Sequence, residues 1–137
     1  MREYPDGRSV PSVVLIDQEQ DVIHFFREVF KHLPDVEFYA MSHPDFGVAT
    51  AALYGADVII TEIYYPRYEW NWGEELLERL RAYRPQAKII VLSTHNEEEI
   101  IYKYKTIFGV DAWFAKPAGL EDIVRKVYEL LGRPYPI

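Results

Sequence analysis

Four side chains able to act together stand at the far ends of apolar runs. Asp17 follows Ser12-Val13-Val14-Leu15-Ile16, Glu62 follows Val58-Ile59-Ile60-Thr61, Ser93 closes Lys88-Ile89-Ile90-Val91-Leu92, and Lys116 follows the segment from Asp111 to Ala115. Brought to one place, two carboxylates and an ammonium form either an acid pair able to hold a metal or an ion pair in which lysine compensates the acids. Short continuous apolar runs read as strands buried on both faces, so each acid emerges at the carboxyl edge of a parallel sheet, where open α/β folds place their ligands. Nucleotide or flavin binding is disfavoured, because Gln18-Glu19-Gln20-Asp21 stands where a glycine-rich phosphate loop belongs. His24, His32, His43 and His95 show no metal-ligand spacing, and the chain has no cysteine for a thiolate site or a disulfide framework.

The chain has 137 residues, about half of them apolar, which suits one domain over 1–137 with a core from about 12 to 132. Its net charge of −7, with no cluster of Lys and Arg, opposes direct binding to nucleic acid or anionic lipid. No segment is apolar over the length needed to span a membrane, and the polar start from Met1 to Arg8 lacks a secretory apolar stretch. Together with the missing cysteines, these features lead us to expect a cytoplasmic protein.

The elements that must position the four residues alternate between two periods. After the first strand, Val22, Phe25, Phe26, Val29 and Leu33 recur at helical spacing up to Pro34. Val36 to Met41 alternates as a strand, and Ser42-His43-Pro44-Asp45 carries the polar cap and early proline of a helix running to Gly55. Beyond Glu62, Asn71 with Glu74 three residues on predicts a capped helix through Leu76, Leu77, Leu80 and Tyr83. Glu97 to Glu99 open a further helix whose Ile100, Ile101, Tyr104, Ile107 and Phe108 are expected to face inward. A last helix carries Leu120, Ile123, Val124, Val127 and Leu131 and stops at Gly132. Five strands alternating with five helices on short connections predict an α/β, doubly wound, five-stranded parallel sheet of flavodoxin-like order 2-1-3-4-5. Strands one and three then flank the switch point, and Asp17, Glu62, Ser93 and Lys116 converge on one pocket.

In order and spacing these residues resemble the receiver domain of two-component response regulators, from about Ser12 to Leu131. That pattern has an acidic pair after strand one and a phosphoacceptor Asp after strand three, followed by a hydrophobic pair and Pro. Ser or Thr then follows strand four, and Lys-Pro follows strand five. The matching residues are Asp17-Gln18, Glu62 with Tyr64-Tyr65-Pro66, Ser93, and Lys116-Pro117. The resemblance implies that Trp113, three residues before the lysine, is the switch aromatic, and that the peptide before Pro117 is cis.

Two departures weigh against phosphotransfer. The resemblance implies Mg²⁺ held by the acidic pair and the phosphoacceptor, but Gln18 replaces the second acid and weakens that oxygen-rich site. Glu62 adds a methylene, which moves its carboxylate about 1.5 Å toward the lysine, and in-line transfer is sensitive to displacements of about 1 Å. We therefore expect neither cofactor nor metal, with a weak Mg²⁺ site on Asp17 and Glu62 as the alternative. The expected function is that of an atypical stand-alone receiver that signals by binding proteins, not an enzyme, with Glu62 standing permanently charged where the phosphoacceptor belongs. The alternatives are a phospho-accepting receiver with a weakened Mg²⁺ site and a small metal-dependent enzyme using Asp17 and Glu62.

The loop after strand three is about three residues longer than the family's. Its Tyr68, Trp70 and Trp72 suit either a contact for a partner protein, kinase or output, or a lid over the pocket. The resemblance also implies a face for symmetric pairing, on the fourth helix (Tyr102 to Lys105), the fifth strand and the outer positions Arg125 and Tyr128 of the fifth helix. The tail Arg133-Pro134-Tyr135-Pro136-Ile137 is too short for an output domain, so output is expected from a partner.

Overall fold

The computed structural model describes residues 10–66, 73–117 and 119–136. Five strands, β1 (Ser12–Ile16), β2 (Glu37–Met41), β3 (Val58–Thr61), β4 (Lys88–Ser93) and β5 (Ala112–Ala115), alternate with five helices, α1 (Gln20–Phe30), α2 (Pro44–Leu53), α3 (Glu74–Tyr83), α4 (Glu98–Phe108) and α5 (Leu120–Leu131). The strands form one parallel sheet in the order β2-β1-β3-β4-β5, as the pattern predicts.

Period-two alternation along the central strands divides the core in two. Val13, Leu15, Val58, Ile60, Ile90 and Leu92 meet α1 and α5 on one face. Val14, Ile16, Ile59, Ile89 and Val91 meet α2, α3 and α4 on the other. Both faces of β1, β3 and β4 are thus covered, which explains their unbroken apolar runs. Gly47 lets α2 lie directly on β1, since a Cβ there would stand 2.6 Å from Ile16 Cγ1. At the amino-terminal sheet edge, Asp57 Oδ2 accepts the Ser12 N–H and Asp111 Oδ2 accepts the Ile89 N–H, both at 2.9 Å. Acids at that edge complete the sheet's hydrogen bonding, whereas those at the opposite edge face a lysine.

Helix starts follow local chemistry. His43 caps α2, its Nδ1 accepting the Asp45 N–H at 3.1 Å, with Pro44 in the first turn. For α3 the expected cap at Asn71 is replaced. Gly73 holds the cap position at φ 72°, where a Cβ would meet the Ile63 backbone at 2.8 Å, and Asn71 lies outside the described residues.

Two expectations about helix faces need correction. Ile107 is 63% exposed, because the inward stripe of α4 is satisfied by Tyr104 and Phe108. Tyr128, expected on the outside of α5, is fully buried one turn beyond Val124, and its hydroxyl donates to Asp35 Oδ1 at 2.8 Å. The resemblance to a pairing face does not hold here, because the ring belongs to the apolar arc of α5 and only its hydroxyl reaches a polar partner. Tyr128 is therefore not available to a pairing face, while Arg125 remains at the surface with its guanidinium 4.5 Å from the Tyr135 ring centroid.

Candidate functional site

Backbone bonds at the carboxyl edge of the sheet fix the origin of each functional side chain. The β1–β3 register pairs Ile16 with Thr61, so Asp17 and Glu62 leave adjacent strands side by side. The Glu62 N–H donates to Ile16 O at 3.0 Å and the Asp17 N–H to Met41 O at 3.1 Å. Likewise β4–β5 pairs Ser93 with Ala115, and the Lys116 N–H donates to Ser93 O at 2.8 Å. The Lys116–Pro117 peptide is cis.

From these anchors Lys116 reaches across the sheet edge. Its Nζ lies 2.9 Å from Asp17 Oδ2, 3.2 Å from Glu62 Oε1 and 3.4 Å from Glu19 Oε2. Asp17 is fully buried, and the Lys116 and Glu62 side chains are 8% and 6% exposed. Glu62 Oε2 turns back to accept the N–H of Ile63 at 2.7 Å and that of Tyr64 at 3.3 Å. Asp17 Oδ1 accepts the Glu19 N–H at 2.9 Å. Burial pushes the Asp17 carboxyl up to about 6 against the pull of Lys116. Burial also opposes the charge on Lys116, but Asp17, Glu62 and Glu19 outweigh it and hold the ammonium above its ordinary value. The result is one buried ammonium shared between two buried carboxylates and a third at the rim.

The other predicted residues occupy the surroundings. Ser93 is fully buried, and its Oγ accepts the His95 N–H at 3.1 Å. Gln18 Oε1 is buried without a hydrogen-bond partner among the described residues. Pro117 helps line a cleft of about 320 Å³ with Glu19, Val22, Thr94, Lys116 and Leu120. Trp113 is half-buried, its ring edge-on to Tyr104 at 5.7 Å and its Nε1 donating to His95 O at 2.9 Å. Tyr68, Trp70 and Trp72 lie outside the described residues.

Two contributors escaped the sequence reading. Glu19 looked like one more polar residue in the run from Gln18 to Asp21, yet it is the third acid on Lys116. Tyr65 read only as half of a hydrophobic pair. It is fully buried, and its hydroxyl donates to Ile16 O at 2.6 Å and lies 3.4 Å from Thr61 Oγ1, tying the loop after β3 to the end of β1. Alternation in Ile63-Tyr64-Tyr65 was the available signal, since Ile63 and Tyr65 are buried and Tyr64 is not.

As a cage for a divalent cation the set is poor. Among the described residues no group of three His, Cys, Asp or Glu side chains is arranged so that it could hold a metal ion. Six oxygens are the ordinary demand of Mg²⁺. Here an ammonium stands between the two buried carboxylates, and one oxygen of each already accepts backbone N–H groups.

Comparison with known proteins agrees with the fold. None of the curated proteins matches the chain. A two-component response regulator from Clostridium difficile superposes with a TM-score of 0.76 at 20% identity, over 90% of this chain and 97% of that one. A CheY-like response regulator receiver domain protein from Methanospirillum hungatei gives 0.77 at 21% identity, over 90% and 95%. The chemotaxis protein CheY4 of Vibrio cholerae gives 0.75 at 18%, over 89% and 99%. At such identities these likenesses show the shared fold. The response regulator receiver domain family matches residues 13–128, from inside β1 to near the end of α5. Taken with the strand order and the placement of Asp17, Glu62, Ser93 and Lys116, that match establishes that the chain belongs to the response regulator receiver domain family, a signalling domain of two-component systems.

Proposed function

We propose that this receiver signals by binding a partner protein and without phosphotransfer, with the Glu62–Lys116 pair in place of a phosphorylated aspartate. The observation that carries this reading is the state of the Glu62 carboxylate. Oε1 faces the Lys116 ammonium at 3.2 Å, and Oε2 accepts the Ile63 and Tyr64 N–H groups. Both oxygens are engaged, so neither is poised to attack phosphorus, and the groups that would stabilise a transferred phosphoryl already satisfy the carboxylate. Glu62 carries about one negative charge against nearly two for a phosphoryl group, so the mimicry is partial but permanent. On this reading neither Mg²⁺ nor another cofactor is required, and the aromatic residues Tyr68, Trp70 and Trp72 serve as partner contacts.

The test is incubation with Mg²⁺ and a small phosphodonor such as phosphoramidate, followed at once by intact mass measurement. The expected result is an unchanged mass. A phosphoryl adduct that disappears in Glu62→Gln would overturn the reading. One observation favours a second reading, in which the site still accepts phosphate through weak Mg²⁺. Gln18 Oε1 and Asp17 Oδ2 are buried oxygens with no hydrogen-bond partner among the described residues, apart from the Lys116 ion pair of Asp17. The same experiment separates the two.

A further inference from the structure

Helix α2 breaks the rule that governs surface helices. Such a helix ordinarily carries apolar residues on its inner stripe and polar ones outside. The segment Pro44-Asp45-Phe46-Gly47-Val48-Ala49-Thr50-Ala51-Ala52-Leu53 is apolar nearly all round, and Asp45 is its one charged residue. Its inner side is filled by Pro44, Gly47, Val48, Thr50 and Ala51. Phe46, Ala49 and Leu53 are left on the outside at the i, i+3, i+7 spacing of a packing stripe, with Phe46 66% and Leu53 75% exposed. On the neighbouring α3, Arg79 Nη1 bonds Asp45 Oδ1 at 2.6 Å, and Tyr83, one turn further along that helix, is 61% exposed. Two of the five large exposed apolar residues among the described residues therefore lie on this one helix face.

We propose that this α2 face is a homodimer interface, occupied by α2 of a second copy of this chain running antiparallel across a two-fold axis at Ala49. Three features favour a second copy. First, the stripe is self-complementary, because a two-fold axis at the small central Ala49 sets Phe46 of one copy against Leu53 of the other and lets the backbones approach. Second, the chain carries a net −7, so most of its surface repels another copy, whereas this face offers one acid that is already paired with Arg79. Third, α2 has an acid in its first turn and no base in its last, so antiparallel packing brings each uncompensated carboxyl end beside the other's amino end.

The test is sedimentation equilibrium of the full chain with Leu53→Lys and Phe46→Glu, both solvent-facing, using circular dichroism to confirm folding. Dimers that weaken at least about tenfold in each variant, and are retained in Tyr102→Glu on α4, support the proposal. Because the chain lacks cysteine, Ala49→Cys supplies an independent measurement. A mild oxidant is expected to couple two copies rapidly through that position and not through Lys105→Cys on α4. Protein that remains monomeric at millimolar concentration, or dimers indifferent to Phe46 and Leu53 but lost in Tyr102→Glu, would overturn it.

Discussion

The two oxygens of Glu62 do different work: Oε1 lies 3.2 Å from Lys116 Nζ, while Oε2 accepts the N–H of Ile63 at 2.7 Å, the residue that begins the following loop. One carboxylate thus joins the loop after β3 to the residue after β5. Removing the lysine should cost far more than removing the acid. Lys116→Met leaves Asp17 and Glu62 buried without a cation and is expected to cost about 3–5 kcal/mol. Glu62→Gln retains an oxygen for the backbone N–H groups and leaves Lys116 with Asp17 and Glu19, so about 1 kcal/mol is expected. Urea unfolding of the two variants beside the parent checks the order.

The pH dependence follows from Asp17. Its carboxyl is raised from an ordinary 3.8 to about 6 by burial, so between those values the folded chain binds a proton that the unfolded chain has lost. Stability from this group therefore falls as pH rises from about 4 to about 6 and is level above, a loss on the order of 3 kcal/mol. Asp17→Asn removes that loss, so the variant should gain on the parent between pH 4 and pH 7. A difference in Tm that does not change over this interval contradicts the assignment. Lys116, held above its ordinary value, gives a slope of the same sign at the alkaline end: its contribution is full below pH 10.5 and is lost as pH rises above it.

Tyr65→Phe removes the hydroxyl that bonds Ile16 O at 2.6 Å while the Glu62 N–H keeps that carbonyl partnered, so a loss of about 1 kcal/mol is expected by chemical denaturation. Gly47→Ala is expected to cost about 1–3 kcal/mol, since its Cβ would stand 2.6 Å from Ile16 Cγ1 and force α2 off the sheet.

Restoring the acids tests the expectation that Gln18 and Glu62 weaken the site for Mg²⁺. Gln18→Asp with Glu62→Asp returns a second acid to the end of β1 and retracts the third by one methylene from Lys116. Calorimetry is expected to detect Mg²⁺ binding in the double variant and none in the parent at the same concentration.

The sheet order and the meeting of Asp17, Glu62 and Lys116 were legible because buried parallel strands announce themselves as apolar runs, and their ends must share an edge. What was not legible depended on side-chain reach. The resemblance implied an outer position for Tyr128, but its ring completes the core and its tip finds Asp35. Glu19 was hidden in a polar run, and only the fold brings it to Lys116. Gly73, which a cap at Asn71 puts within the first turn, is itself the cap of α3, at φ 72° against the Ile63 backbone.

Phosphate-independence is tested most sharply by a two-dimensional amide spectrum of the purified chain alone, with Mg²⁺, and with Mg²⁺ plus beryllofluoride as a phosphoryl mimic. With Glu62 already engaged by Lys116, Ile63 and Tyr64, no saturable shift is expected at Asp17, Gln18 or Glu62 in either titration. Saturable shifts at those residues that spread to Ser93 and Trp113 would show a working phosphoryl site and contradict it.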